Sequence, residues 1–553
     1  MRYLYGLLAL LFIGMMAFSA NHVDVDTWFL LNSGRFVATE GFPHVEPFTV
    51  HEGFHFVMQQ WLYALGLWKL YSLTGLIGLF VFPWVAGAAI LFCYARLMLR
   101  VTEGNVEVSC LLTGVVLFFA CPYFFCQRPQ MASTLIFLVE IGLLERYAST
   151  ARMPRFLPAI FFVLSVLLVN LHAAMWPMLL VFLLPYAAES LLGGRLPFSR
   201  QTFHWCGREF LLLALIILAG GFLDPYGTEA MTYSLHGYGY AEINQLVLEM
   251  HPLSFERPMY GVPLLLVIIG LSLYARRALP LRYQLLALGT GFLALQALRS
   301  LLLFLLFGTL GIGYLFRKWH ERKQAASFPR LRNLSILIFL LILCRHGWAL
   351  FFASVSPLRR ELFVLSFLLL LGVVLAAART LYHRRHEACL DAYGRRLLTA
   401  LLAFFLVPFT VLSMEAPYII PAPVERAAAM LAAQALPEDS RVYAEYNAGG
   451  YLGFRGYRYY IDSRAEVYLP ALNHRENILR EYADIKMGRI APQVLQEKYA
   501  FTHYLVEEED DLYEALADNP DYVLLYDSKE DNTILAAAQQ SEAAVRLYVY
   551  RHK

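Results

Sequence analysis

The sequence predicts an α-helical polytopic membrane protein, with about eleven to fourteen spanning helices and a water-facing α/β domain at its C-terminal end. Two observations carry that prediction. Of the 553 residues, 59% are hydrophobic and 16% charged, at a mean hydropathy of +0.51. Soluble domains run at about 45–50% and 25%, so the apolar surplus exceeds what a core can hide and a bilayer must solvate part of the chain. The second observation is distribution: apolar runs of near-spanning length recur to about residue 414, and there they stop.

Taken in order, the runs fall near 4–20, 74–95, 108–126, 131–147, 156–170, 174–191, 210–223, 260–275, 284–298, 300–316, 333–354, 362–378 and 397–414. Residues 57–71 are aromatic and amphipathic, and read as a helix lying in the membrane interface. Ala17-Phe18-Ser19-Ala20 resembles a signal-peptide cleavage site, which leaves the first run open to that reading without moving the loop after it. The formal net charge of +2 is uninformative. The placement of Lys and Arg is not: Arg2, Arg96 and Arg100, then 146–155, 195–208, 276–282, 317–332 and 379–396 all fall on one side when spans are counted. The positive-inside bias makes that side the cytoplasm, with Arg359 and Arg360 as the exception, and it exports the C-terminal tail.

The tail is mixed and charged. Its short β-type runs, RVYAEYN, YRYYID, THYLVE, YVLLYD and RLYVYR, alternate with helical stretches at 425–436, 474–486 and 509–517. That pattern predicts a small α/β domain over 415–553 behind a membrane domain over 1–414. None of the seven cysteines lies beyond Cys389, so the tail holds no internal disulfide. Cys121 and Cys126 read as small apolar side chains of a helix, with pairing near one membrane face as the alternative.

Polar groups at membrane depth are costly and mark function, and here they gather on the outer side. The first outer loop, about 21–73, carries Asp24, Asp26, Arg35, Glu40, His44, Glu46, His51 and His55. Later outer ends contribute Gln127, Arg128 and Gln130, Asn170 and His172, Asp224 and Tyr226, then a segment with Glu242, Glu249, His251 and Glu256, and finally Arg299. Asp24 and Asp26 read either as solvated loop charges or as a general base, with a divalent metal possible beside it. Arg128 and Arg299 read either as interfacial cations or as clamps for a phosphate, whose oxygens match a guanidinium fork. Asn170 and His172 fit an interfacial pair as well as a ligand site. The spacing of His44, His51 and His55 matches no standard metal site.

These residues also form a familiar pattern. Asp24-x-Asp26-x-Trp28, then Gly34, Gly41-Phe42-Pro43, Pro47-Phe48, Gln60-Trp61-Leu62 and Gly75 resemble the first outer loop of bacterial GT-C-type glycosyltransferase-like membrane proteins. That superfamily includes protein mannosyltransferases, aminoarabinose transferases and oligosaccharyltransferases. One bacterial branch is similar at Arg128-Pro129-Gln130, at Asn170-Leu171-His172 and at Asp224-Pro225-Tyr226-Gly227, where Asp replaces its Asn. In the tail, 446–452 and Ile461-Asp462-Ser463-Arg464-Ala465-Glu466 look similar to its outer domain.

The resemblance implies an enzyme of a bacterial cytoplasmic membrane that moves a sugar, with inversion, from a polyprenyl-phosphate donor to an extracytoplasmic acceptor. Asp24 or Asp26 would be the base, and Arg128 with Arg299 would hold the donor phosphate. Gln127, Gln130, Asn170, His172, Asp224, Tyr226, Asn447, Asp462 and Arg464 would line the substrates. No cofactor is required by this scheme, a divalent metal is compatible with it, and no nucleic acid is expected as a partner. The rival classes are a transporter or flippase of lipid-linked sugars and a polymerase or ligase of lipid-diphosphate oligosaccharides. Charges gathered at one face rather than at mid-membrane argue against the transporter.

Overall fold

The computed structural model describes residues 23–150, 152–192, 195–196, 199–237, 243, 247–255, 258–272, 279–322, 422–433, 440–528 and 547–552, with scattered positions between 5 and 16. The expected spans at 333–354, 362–378 and 397–414, Arg359 and Arg360, and the boundary at 414–415 lie outside the described residues.

Among the described residues three helices are long and apolar enough to cross a membrane: Leu76–Val101, Leu157–Met175 and Leu298–Phe316. Shorter helices at Val106–Phe124, Gln130–Arg146, Met178–Leu192, Gly207–Gly221, Pro258–Ser272 and Leu281–Gln296 pack with them. Local chemistry sets several of the boundaries. Asn105 caps its helix by accepting the Val108 N–H at 3.1 Å. Gly75, at φ +62°, separates the helix Trp61–Thr74 from the long one that begins at Leu76. One continuous apolar core runs through this bundle, from Leu97 and Ile141 to Phe182, Leu286 and Phe307.

One end of the bundle is fastened by a buried ion-pair network. Arg282 donates through Nε to Glu145 at 2.7 Å and through Nη1 to Glu189 at 2.8 Å, while the Tyr186 and Tyr283 hydroxyls also donate to Glu145. The sequence marks Arg282 as a basic loop residue, yet it is nearly fully buried and tied to two helices. Buried charge survives only when paired and hydrogen-bonded, and both conditions are met here.

Each of the five β-type runs of the tail contains a strand. Including the two-residue pair β1 (Ser199–Arg200) and β2 (Leu279–Pro280), the strands are β3 (Arg441–Tyr443), β4 (Arg458–Tyr459), β5 (His503–Glu507), β6 (Tyr522–Asp527) and β7 (Leu547–His552). The main sheet has the order β4-β3-β5-β7-β6, with β3 parallel to β4 and β5, and β7 antiparallel to β5 and β6. Helices Ile478–Lys486, Pro492–Tyr499 and Asp511–Ala517 bury Leu479, Tyr482, Leu495, Leu512 and Leu516 against it.

The first loop is more ordered than its sequence advertises. Asp26–Thr39 is a helix whose buried side chains Trp28, Phe29, Leu30 and Leu31 share one apolar cluster with Tyr63 and Leu67 of the helix Trp61–Thr74. Val442, Leu452, Leu505 and Val549 of the sheet domain belong to that cluster too. The helix Asp26–Thr39 is therefore the layer joining bundle to sheet, and that position carries the acids of the candidate site.

Candidate functional site

Four charged side chains from three separated stretches meet at the start of the helix Asp26–Thr39. Asp24 turns the chain into the helix, its Oδ1 accepting the Asp26 N–H at 3.0 Å. The Asp24 N–H donates in turn to Gln127 Oε1 at 3.2 Å, and buried Gln127 is anchored through Nε2 to the Leu79 carbonyl at 2.9 Å. Arg128 is the next residue, in the turn between the helices Val106–Phe124 and Gln130–Arg146. Its Nε lies 2.8 Å from Asp24 Oδ1 and 3.1 Å from Asp26 Oδ2, and its Nη1 lies 2.8 Å from Glu249 Oε2.

Three carboxylates thus face one guanidinium. Burial pushes the Asp26 carboxyl up to about 7, against the opposing pull of Arg128 and with repulsion from Asp24 and Glu249 adding to it. A carboxyl tuned near neutrality has the properties of a general base. The sheet domain closes over the same point. Tyr446 donates its hydroxyl to the Ser463 carbonyl at 2.9 Å; burial pushes that phenol up, and the charge of Asp26 adds to the shift. The buried Ser463 hydroxyl lies near Asp26 and, as a donor toward it, favours the ionised carboxyl.

A second polar group adjoins this one. Arg299 is exposed in the short turn Leu298–Ser300, where its charge reaches both His172 and Glu466. Burial pushes the Glu466 carboxyl up, while a backbone N–H and the charges of Arg299 and Arg464 oppose the shift. Gln59 joins the halves by donating to Glu466 Oε1 at 2.9 Å and accepting the Ala174 N–H at 3.2 Å.

Several residues expected to line the substrates are spent inside the protein. Asn170 accepts from the Trp61 indole at 2.8 Å and donates to the Leu223 carbonyl at 2.8 Å. His172 pairs with the Ser133 hydroxyl at 2.8 Å, and Tyr226 donates to the Pro43 carbonyl at 3.0 Å. Asp462 accepts from Tyr459 at 2.6 Å, from Tyr468 at 2.8 Å and from Arg464 Nε at 2.8 Å. Arg464 reaches Glu46 of the first loop at 2.9 Å, among the rings of Phe29, Phe48 and Phe56. With 0% exposure at Asp462 and 4% at Arg464, this pair fastens loop to domain, and Arg464 Nη1 is left buried without a partner. The other expected residues keep free valence. Asn447 is exposed, while Gln130 Oε1 and Asp224 Oδ2 are buried without a partner. Burial pushes the Asp224 carboxyl up to about 6, against the Tyr226 N–H.

Gln59 is the site neighbour that the sequence does not single out, while Tyr446, Ser463 and Glu466 lie in the tail patches that carry the resemblance without a role of their own. Glu249 stands out only as one acid of a polar segment, 121 residues from Arg128. Among the described residues one carboxylate group, Glu445, Glu507 and Asp510, has metal-like spacing. Lys486 Nζ already supplies a cation there, at 3.3, 3.1 and 3.0 Å from the three.

No protein-family model and no curated protein sequence matches the chain. Solved structures do match it in fold. ArnT from Cupriavidus metallidurans, bound to undecaprenyl phosphate, aligns with a TM-score of 0.55 at 12% identity over 99% of this chain and 97% of its own. The apo form of the Archaeoglobus fulgidus oligosaccharyltransferase aligns with a TM-score of 0.50 at 11% identity over 91% of this chain and 69% of its own. The chain has this GT-C-like fold, a polytopic helical bundle carrying an α/β domain.

Proposed function

We propose that the protein is a membrane glycosyltransferase that moves a sugar from a polyprenyl-phosphate donor to a hydroxyl of an extracytoplasmic acceptor in the cell envelope, with inversion. The observation that carries this reading is the meeting of Asp24 and Asp26 with Arg128 at 2.8 and 3.1 Å, on a fold whose solved relative holds undecaprenyl phosphate. Asp26 accepts the acceptor's proton as its oxygen attacks the anomeric carbon, and Asp24, paired with Arg128 at 2.8 Å, holds the guanidinium beside it. The bond to the donor phosphate breaks as the new glycosidic bond forms. The departing lipid phosphate gains negative charge, so a guanidinium beside it binds the transition state more strongly than the ground state. In this reading Arg128 takes that role, and exposed Arg299 serves the same anion. Asn447, Asp224 and Gln130 are the expected residues left to meet a substrate, while Glu46, Asp462 and Arg464 hold the first loop against the sheet domain. The scheme runs without a metal; a divalent ion beside the acids would add Lewis-acid charge to the same leaving group.

The test offers the purified protein a panel of polyprenyl-phosphate sugars and follows release of lipid phosphate together with movement of the lipids across a vesicle bilayer. Turnover with at least one donor is expected. Transport of the panel without any turnover would replace the glycosyltransferase reading with the flippase.

A further inference from the structure

The way Arg128 is occupied sets a requirement on the anion it is to bind. A guanidinium offers two edges to an oxyanion, Nε with one terminal nitrogen, or the two terminal nitrogens together. Nε is taken by Asp24 and Asp26, the groups that must stay near the reacting hydroxyl. Of the terminal nitrogens, Nη1 is held by Glu249 at 2.8 Å, and Nη2 has no hydrogen-bond partner among the described residues. A phosphate that uses the end-on edge finds half of it free and half of it filled by Glu249.

We propose that Glu249 is a stand-in for the donor phosphate, holding Arg128 Nη1 until the lipid's phosphate displaces it; this rests on the assignment of Arg128 to the donor. Three features support the exchange. Glu249 is the most exposed partner of Arg128, at 35% against 13% for Asp24 and 21% for Asp26, so it is the one that can return to water at low cost. It belongs to a three-residue turn, Leu248–Met250, and that turn is fastened on its far side. There the Leu253 N–H donates to the Leu295 carbonyl and the Leu298 N–H to the His251 carbonyl. The side chain can therefore swing away as the turn Leu248–Met250 loosens, while His251 and Leu253 stay fastened beside Arg299. The charges also match: a carboxylate and a phosphodiester each carry one negative charge, so the exchange leaves the field at Asp24 and Asp26 nearly unchanged. The product phosphate carries more charge and holds Arg128 more firmly. A tethered carboxylate that competes for the same nitrogen then speeds product release.

The test measures binding of undecaprenyl phosphate to the full chain in lipid nanodiscs, with undecaprenol as the control without phosphate. Glu249→Gln removes the competing charge, and undecaprenyl phosphate should bind roughly tenfold tighter, the size expected for one charge-assisted hydrogen bond no longer to be broken. Undecaprenol binding should not change. Glu249→Ala should behave the same way, which separates the lost charge from any new contact of the amide. On the unaltered protein, undecaprenyl phosphate should increase hydrogen exchange of peptides within 247–255. Unchanged or weaker phosphate binding in both variants, or protection of 247–255 by the lipid, overturns the stand-in. Arg128→Gln keeps the two readings apart. Loss of phosphate-dependent binding there, with Glu249→Gln neutral, sinks only the stand-in. Phosphate binding unaffected by Arg128→Gln sinks the donor assignment itself.

Discussion

Asp26 is where the residue-level argument is sharpest, because its environment decides its chemistry. The carboxyl is pushed up to about 7 by burial, with Arg128 opposing and Asp24 adding repulsion. A base works only when ionised, so kcat/KM should rise with pH through about 7 and level off above it. Asp26→Asn should abolish transfer and leave binding of polyprenyl phosphate nearly intact, because it removes a group acting in the transition state. A pH–rate profile with no inflection between 6 and 8, in an enzyme that loses activity on Asp26→Asn, would mean that Asp26 is not the titrating base. The pair Asp24-x-Asp26 was readable as a candidate base from two carboxylates just beyond an apolar span. What tunes one of them was not readable: burial raises it, and Arg128 and Ser463, which oppose the shift, and Glu249, which adds to it, come from distant parts of the chain.

At the scale of elements, the helix Asp26–Thr39 decides whether the site exists. Its run Trp28-Phe29-Leu30-Leu31 shows no clean amphipathic period, because partners cover it on several sides: the helix Trp61–Thr74, the short helix Gly449–Phe454 and the sheet. Gly34 is its closest point of approach. A methyl group there would collide with the Ala64 carbonyl and come within 2.8 Å of Trp68 Cβ, both on the facing helix. Gly34→Ala should therefore force the two helices apart, at an overpacking cost of about 1–3 kcal/mol. It should also lower turnover, because Asp26 lies at the start of the displaced helix. Thermal unfolding of the purified variant measures the first effect. A midpoint equal to that of the unaltered protein would show that the contact relaxes freely. The sequence expects 57–71 to be a single interfacial helix; the structure starts it at Trp61, where that residue's indole is held by Asn170.

For the whole molecule, orientation is the remaining structural question with a direct answer. The Lys and Arg bias of the short loops predicts a cytoplasmic face for one end of the bundle, and the acids and Arg128 meet beside the sheet domain. Reporter fusions after Arg155 should be cytoplasmic and fusions at Asn473 exported. A cytoplasmic signal at Asn473 would put the acceptor on the wrong side for an extracytoplasmic reaction. Arg282 contributes less to this argument than its sequence position suggests, since it is sequestered by Glu145 and Glu189.

The sequence by itself determined the membrane class, the five strand-forming runs of the tail and the side on which polar residues gather. Each follows from local composition: apolar length for a span, β-branched and aromatic runs for a strand, charge bias for a loop. The tertiary structure alone decided which of those polar residues share a point. It sent Asn170, Tyr226, Asp462 and Arg464 to hold the fold together, and it brought Glu249 from 121 residues away onto the guanidinium of Arg128. A buried polar group is satisfied by whatever the fold places within about 3 Å of it. That distance is set by the packing of helices and sheet, and no spacing along the chain encodes it.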